Sequence, residues 1–386
     1  MKEFITIKGV GPLRDIKHLE IKPLTVLIGE SAIGKSTLMK VLVMMRYLFK
    51  MVNVRFYLKK SKIAKSPFRF RIDRMKANIG DGFFGKDSFV RYEVVMPTGH
   101  TYALEIDGNS FRKPSQMDDA DIVFFKESFV SENRTILPKW TERSSRNNIA
   151  SLGFYFDETN EIFQRAIAND AIYDLPYMGM QLQVNHPKGK PVSLMLSPTN
   201  NAYPVCRLNE ASSGLQSSVP LAIIVQYLSE KFSLKNAFNR SVLSYIFEND
   251  DRLSDFKPFK DLSSIPCYVH IHLEEPELSL YPDAQYKLLE QIVRVAFAAT
   301  DRRLGLIMAT HSPYMLNYLN VLLCKRPGQV AYVANSDMAA YRLFDGRALN
   351  LMARGESGEV FVDTNDLSDE MVDIFNIYRQ YQSAGK

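Results

Sequence analysis

The sequence is poor in the residues that would place it in an oxidising or membrane setting. Its three cysteines, Cys206, Cys267 and Cys324, are scattered across 386 residues, with no two at metal-ligand spacing. That excludes a disulfide scaffold and a cysteine-ligated zinc site, and it fits a reducing, cytoplasmic location. No run approaches the ~18 apolar residues that cross a bilayer; Val219 to Leu228 comes nearest and contains Gln226. The opening Met1-Lys2-Glu3-Phe4-Ile5 lacks the apolar core of a signal peptide, so the expectation is a cytoplasmic chain with no membrane partner. Tryptophan occurs once, as Trp140 near Pro138, and reads as packing. Repeats and low-complexity tracts are also lacking. What remains, 46% hydrophobic and 24% charged, is the balance of an ordinary globular protein, and the length suits two or three domains.

Acidic residues are scarce in one place. Between Arg46 and Arg91 stand 13 basic residues against Asp73, Asp81 and Asp87, so this segment carries +10 and the rest of the chain −5. A basic region on a mildly acidic protein suits a nucleic acid or an acidic protein partner, or is a solvated lysine-rich surface.

The pattern along the chain alternates between strands and helices. "FITIKGVGPLRDIKHLEIKPLTVLIGE" reads as short strands broken at Gly9, Gly11-Pro12 and Lys22-Pro23, followed by a helix to Lys60. Antiparallel strands with turns at Pro97-Thr98-Gly99 and Asp107-Gly108 come next, then a strand in "DIVFFKESFV". Ile162, Phe163, Ala166 and Ile167 at helical spacing predict a helix between about Thr141 and Asp174. Pro176 to Pro204 reads as hairpin or loop, Leu215 to Phe232 as an apolar helix, and Tyr286 to Ala299 as another helix. A last helix is predicted over Ser368 to Gln382, with Met371, Ile374, Phe375 and Tyr378 on one packing stripe.

Four short stretches carry chemistry. The first, Gly29-Glu30-Ser31-Ala32-Ile33-Gly34-Lys35-Ser36-Thr37, stands between an apolar strand and a helix and matches G-x-x-x-x-G-K-[ST]. Such a loop wraps backbone N–H groups around phosphates; Lys35 meets the β- and γ-phosphates and the Ser36 hydroxyl meets Mg²⁺. The helix start adds a positive dipole end. The cofactors expected are therefore ATP and Mg²⁺. The second stretch, "YVHIHLEEPE", delivers Glu274 and Glu275 at the end of a buried strand, where parallel sheets bind ligands. Glu274 is assigned to the metal and Glu275 to the attacking water. His270 and His272 alternate on that strand; they either bind metal or pack and hydrogen-bond beside the nucleotide-bearing helix. The third, "LGLIMATHSPYML", ends a strand at His311, placed to sense the γ-phosphate. The fourth, "LNEASSGLQSS", puts Ser212, Ser213 and Gly214 before a long apolar helix, a second phosphate cradle.

One nucleotide rarely needs two cradles from one chain. In a head-to-tail dimer the second closes over the partner's ATP. Phosphate loop, Ala211-Ser212-Ser213-Gly214-Leu215-Gln216, Glu274-Glu275-Pro276-Glu277 and Thr310-His311-Ser312 stand in the order of ABC-type ATPase heads, and the chain resembles their SMC-like and OLD-like branch. The resemblance covers residues 1 to 48 and 205 to 345. It implies an α/β P-loop head, with a mixed sheet flanked by helices and an antiparallel β subdomain. It also implies ATP hydrolysis, with Ser212, Ser213, Gly214 and Gln216 on the nucleotide of the other head. "FVSENRTILP" is similar to a segment of that branch that would bring Arg134 near the nucleotide. The chain departs from the pattern in having Ala211 where transport-type heads prefer leucine, Glu274 for the usual aspartate, and no obvious glutamine loop. It also shows no TOPRIM nuclease cluster after His311 and no long heptad arm.

These readings divide the chain into residues 1–135 (phosphate loop and basic β-rich segment), 136–204 (a small helical or irregular insertion), 205–345 (signature, paired acids and histidine) and 346–386 (tail helix). The leading expectation is an ATPase whose homodimer, or an oligomer of dimers, gates a separate nuclease or toxin effector. Stand-alone heads of this kind resemble the ATPases of Septu- and retron-associated phage defence. Two other readings stand beside it: an ATP-bound scaffold with little turnover, and an SMC-like DNA-repair ATPase using the Arg46–Arg91 segment. A small-molecule kinase is disfavoured, because it would not need Ser212-Ser213-Gly214.

Overall fold

The computed structural model describes residues 1–63, 70–141, 152–200, 206–233, 236, 257, 259–261, 264–299, 302–365 and 375–380. At its centre is a six-stranded mixed sheet in the order β15-β14-β3-β13-β12-β7. These strands are β3 (Leu24–Ile28), β7 (Phe124–Val130), β12 (Cys267–Glu274), β13 (Arg303–Thr310), β14 (Met338–Phe344) and β15 (Arg347–Asn350). All neighbours are parallel except β14 and β15. The near-continuous apolar runs of β3, β12 and β13 fit strands covered on both faces.

Side chains alternate between the two faces with the strand period of two, so the sheet separates two cores. Leu24, Val26, Ile28, Ile271, Leu306 and Met308 point into one. Leu27, Phe125, Phe129, Ile307, Ala309 and Tyr341 point into the other. The second core is closed by helix α1 (Lys35–Lys60) and a five-stranded antiparallel sheet. That sheet has the order β2-β1-β4-β5-β6, from β1 (Lys2–Val10), β2 (Leu13–Ile21), β4 (Phe84–Val95), β5 (Thr101–Asp107) and β6 (Ser110–Arg112). Covered by a sheet on each side, α1 is apolar nearly all round, as such a position requires. A short helix, α2 (Ile72–Ile79), follows it.

The first core is closed by helices. These are α3 (Leu137–Thr141), α4 (Phe154–Ala166), α5 (Ser213–Gln226, continued by a π turn to Lys231), α6 (Pro282–Phe297) and α7 (Pro313–Leu323). With them packs a four-stranded antiparallel sheet of β8 (Ala171–Leu175), β9 (Met180–Asn185), β10 (Ser193–Pro198) and β11 (Cys206–Arg207). A small ladder, β16 (Met352–Arg354) with β17 (Val360–Val362), follows the central sheet in sequence.

The α/β class with a mixed sheet, flanking helices and a separate antiparallel β layer is what the sequence led us to expect. The middle of the chain differs. Among the described residues of the helix anticipated from about Thr141 to Asp174, Phe154–Ala166 is helical and Ala171–Leu175 is a strand, while residues 142–151 lie outside the described residues. Of the anticipated tail helix, residues 375–380 are helical, with Phe375 and Tyr378 exposed; Met371 and Ile374 lie outside the described residues. No helix among the described residues is long and apolar enough to cross a membrane.

Candidate nucleotide site

Parallel register lines up the C-terminal ends of four strands. Thr310 of β13 pairs with Ile28 of β3, Ala309 with Glu274 of β12, and Leu273 with Val130 of β7. The residues just past these ends therefore form one edge: Gly29 and its loop, His311, Glu275 and Glu132.

The loop between β3 and α1 has the backbone its glycines permit. Gly34 has φ +106°, which a side chain rarely adopts, and a Cβ there would lie 2.7 Å from Leu13. A Cβ on Gly29 would lie 2.6 Å from the Leu343 carbonyl oxygen of β14. Ala32 also holds a positive φ, of +63°. Lys35 is 6% exposed, and its Nζ donates to the carbonyl oxygens of Gly29 at 2.6 Å and Glu30 at 2.8 Å, curling inside the loop. The His311 Nδ1 lies 3.4 Å from the same Nζ. Burial draws the Lys35 ammonium down to about 8, while Glu275, Glu277 and Glu30 act to raise it. An arriving phosphate would remove that imbalance by supplying negative charge.

Beyond β12 the chain turns sharply. Glu275 has φ +41°, a strained value for a side-chain-bearing residue, and its N–H donates to the Ala309 carbonyl at 2.8 Å. Its Oε1 lies 3.5 Å from His311 Nε2. Glu277 fixes the histidine's backbone: its Oε1 accepts from Thr310 Oγ1 at 2.6 Å and from His311 N–H at 2.9 Å. Paired acid and histidine are thus held at adjoining strand ends, facing Lys35.

The sequence reading missed Glu132. It follows β7, and its carboxyl stands close enough to Glu274 to perturb it, as the Ser36 hydroxyl also does. Burial first, and Glu132 second, push Glu274 up to about 8. The donor set of Ser36, Glu274 and Glu132 is all oxygen and carries two carboxyls, the chemistry that suits Mg²⁺. In "FVSENRTILP" this acid stands two residues before Arg134.

Arg134 has another task. It is fully buried, and all five guanidinium N–H donors find protein acceptors. Nε donates to Ser217 O, and Nη1 to Ser131 O and Glu274 O. Nη2 donates to Ser217 Oγ and Glu275 O. These bonds brace α5 against the end of β12.

Ser212 caps α5 in position, yet its side chain makes no cap hydrogen bond, and Ser212 and Ser213 are both exposed. Gly214 is buried against the turn after β12; a Cβ there would stand 2.7 Å from the Ser279 carbonyl oxygen. Gln216 donates to the carbonyls of Asn209 at 3.1 Å and Ala211 at 2.7 Å, folding back onto its own loop. His270 and His272 hydrogen-bond to Glu127 of β7 at 2.7 and 3.0 Å, and Glu127 and Glu3 hold the buried Arg46 of α1. They are the hydrogen-bonded alternative of the sequence reading.

The loop, the paired acids and the histidine thus stand together at the C-terminal edge of the mixed sheet. Among solved structures, the chain aligns with the SMC head bound to the C-winged helix domain of ScpA, at 11% identity over 92% of this chain and 98% of that one, TM-score 0.39. It aligns with the SMC head domain from Thermotoga maritima at 11% identity, over 92% and 99%, TM-score 0.39. An ATP-binding cassette of an ABC transporter, in its ADP conformation, aligns at 11% identity over 97% and 98%, TM-score 0.32. No family model and no curated protein matches the chain.

Proposed function

We propose that the protein is an ATPase of the ABC type, whose heads pair head-to-tail around ATP to gate a separate effector. The observation that carries this is the convergence of Lys35, Ser36, Glu274, Glu275 and His311 on one sheet edge while Ser212 and Ser213 stay exposed. Lys35 exchanges its two loop carbonyls for phosphate oxygens. Mg²⁺, bound by Ser36, Glu274 and Glu132, would neutralise phosphate charge. Glu275 takes a proton from the attacking water, and His311, oriented through Glu277, reports the γ-phosphate from 3.4 Å beside Lys35. The exposed start of α5 offers the partner's nucleotide free N–H groups and two hydroxyls. The nature of the effector, a nuclease or toxin in bacterial phage defence, rests on the sequence resemblance alone.

The test is the mass of Glu275→Gln in solution by light scattering, with and without ATP and Mg²⁺. Blocked hydrolysis should trap the pair, so the mass doubles with ATP and Ser212→Arg abolishes the doubling. A mass that ignores ATP refutes the two-head site.

A further inference from the structure

Part of the basic Arg46–Arg91 segment is partnered within the protein. Arg46 is buried between Glu3 and Glu127, Arg91 pairs with Glu93 and Glu105, and the Lys76 ammonium donates to the Gly108 carbonyl. Lys65 and Arg69 lie outside the described residues. Three of the remaining cations, Lys50, Arg71 and Arg74, line a single cavity of about 460 Å³ between α1, α2, β7 and α4. Its volume falls in the roughly 300–1,000 Å³ range of small-molecule sites.

The charges in this cavity are unbalanced. Of its acids, Glu158 pairs with Lys126 at 3.2 Å, and Glu127 is held by the two histidines. Among the described residues, Lys50, Arg71 and Arg74 make no ion pair. Burial and the neighbouring Lys126 draw the Lys50 ammonium down to about 8, opposed by Glu127 and Glu158. A cation that strains against its own charge is stabilised by an anion brought alongside.

The rest of the wall is flat and apolar. Tyr47 and Phe154 line it while remaining 42% and 52% exposed, so ring surface is left open to a ligand. Met44, Met51 and Met75 add adaptable surface, and Asn78 offers an amide with both donor and acceptor. Unpaired cations beside aromatic faces recognise a phosphate attached to a stacking base.

We propose that this cavity binds a nucleoside phosphate, free or at the end of a single strand, at a site separate from the phosphate loop. Arg71 and Arg74 take the phosphate. Tyr47 and Phe154 hold the base, and Asn78 meets its edge.

The experiment measures binding of AMP by calorimetry and of a fluorescein-labelled oligothymidylate by anisotropy, both to Lys35→Ala protein so that the phosphate loop does not compete. The comparison is with the same protein carrying Arg71→Glu and Arg74→Glu, and separately Tyr47→Ala. Arg71 and Arg74 are exposed, so charge reversal leaves the fold intact, which melting curves verify. The expected loss is about tenfold or more for the double reversal, as for removal of charge-assisted phosphate contacts. Binding of AMP that is lost in the variants assigns a free nucleotide. Binding of the oligonucleotide alone, lost in the variants and falling steeply with salt, assigns a strand end. Failure of both probes to bind, or binding that survives both substitutions, overturns the proposal. The proposal stands apart from the ATPase reading, since neither probe reports on hydrolysis.

Discussion

Replacing Arg134 with methionine tests whether this residue braces the fold or touches nucleotide. The side chain is fully buried and uses five N–H donors on Ser131, Ser217, Glu274 and Glu275. Methionine fills similar volume but leaves four carbonyl oxygens and one hydroxyl without that donor. Each unsatisfied buried group costs about 1–3 kcal/mol, less where neighbours or water move in. Such losses are not additive within one network, so the expected destabilisation is about 3–5 kcal/mol, the range for breaking a buried charged network. Thermal unfolding should fall by about 4–6 °C, and denaturant titration should show the same loss without ATP present. Arg134→Lys should rescue little, because one ammonium cannot reach acceptors on two elements in a fork. If Arg134→Met melts with the wild type in the absence of nucleotide, yet loses ATP binding, the brace is wrong and Arg134 is a ligand contact.

Three further outcomes follow from the same geometry. Gly214→Val places a Cβ 2.7 Å from the Ser279 carbonyl oxygen and should cost about 1–3 kcal/mol in a denaturant titration. Glu132→Gln removes the negative partner that helps raise Glu274; Glu274 then ionises at lower pH, and the acid limb of the ATPase pH profile should move down. Arg46→Met removes the charge beside Glu3 and Glu127. Glu127 is held down to about 2, chiefly by His270, His272 and Arg46 working against burial. A depressed carboxyl contributes stability above its unfolded value and loses it as pH falls through the folded one. The variant should therefore unfold in acid at a higher pH than wild type, seen by circular dichroism.

Local signals were legible where one segment carried them whole. The phosphate loop, the helix ending at Lys60 and the buried strand runs of β12 and β13 all followed from contiguous residues. The sheet of β8 to β11 was harder to read. Met180-Gln181-Leu182-Gln183-Val184 alternates as a strand should, and β9 with β10 forms the hairpin that was one of the two readings of Pro176 to Pro204, but the helical spacing just upstream hid β8. The cluster of Glu3, Arg46, Glu127 and His272 draws on four elements distant in sequence, and no spacing could reveal it. Arg134 shows the complementary case. A motif can place a residue beside a site correctly and still leave open which way its donors face.

Helix α1 begins at the phosphate loop and, 15 residues later, supplies Lys50 to the second cavity. At 1.5 Å per residue that is about 22 Å, too far for one small ligand to touch both places. Sandwiched between two sheets, the helix is a stiff connection between the two places. Any tilt that closes Lys35 on phosphate must swing the far wall with it, so the length of one helix sets the lever arm between two ends of the molecule.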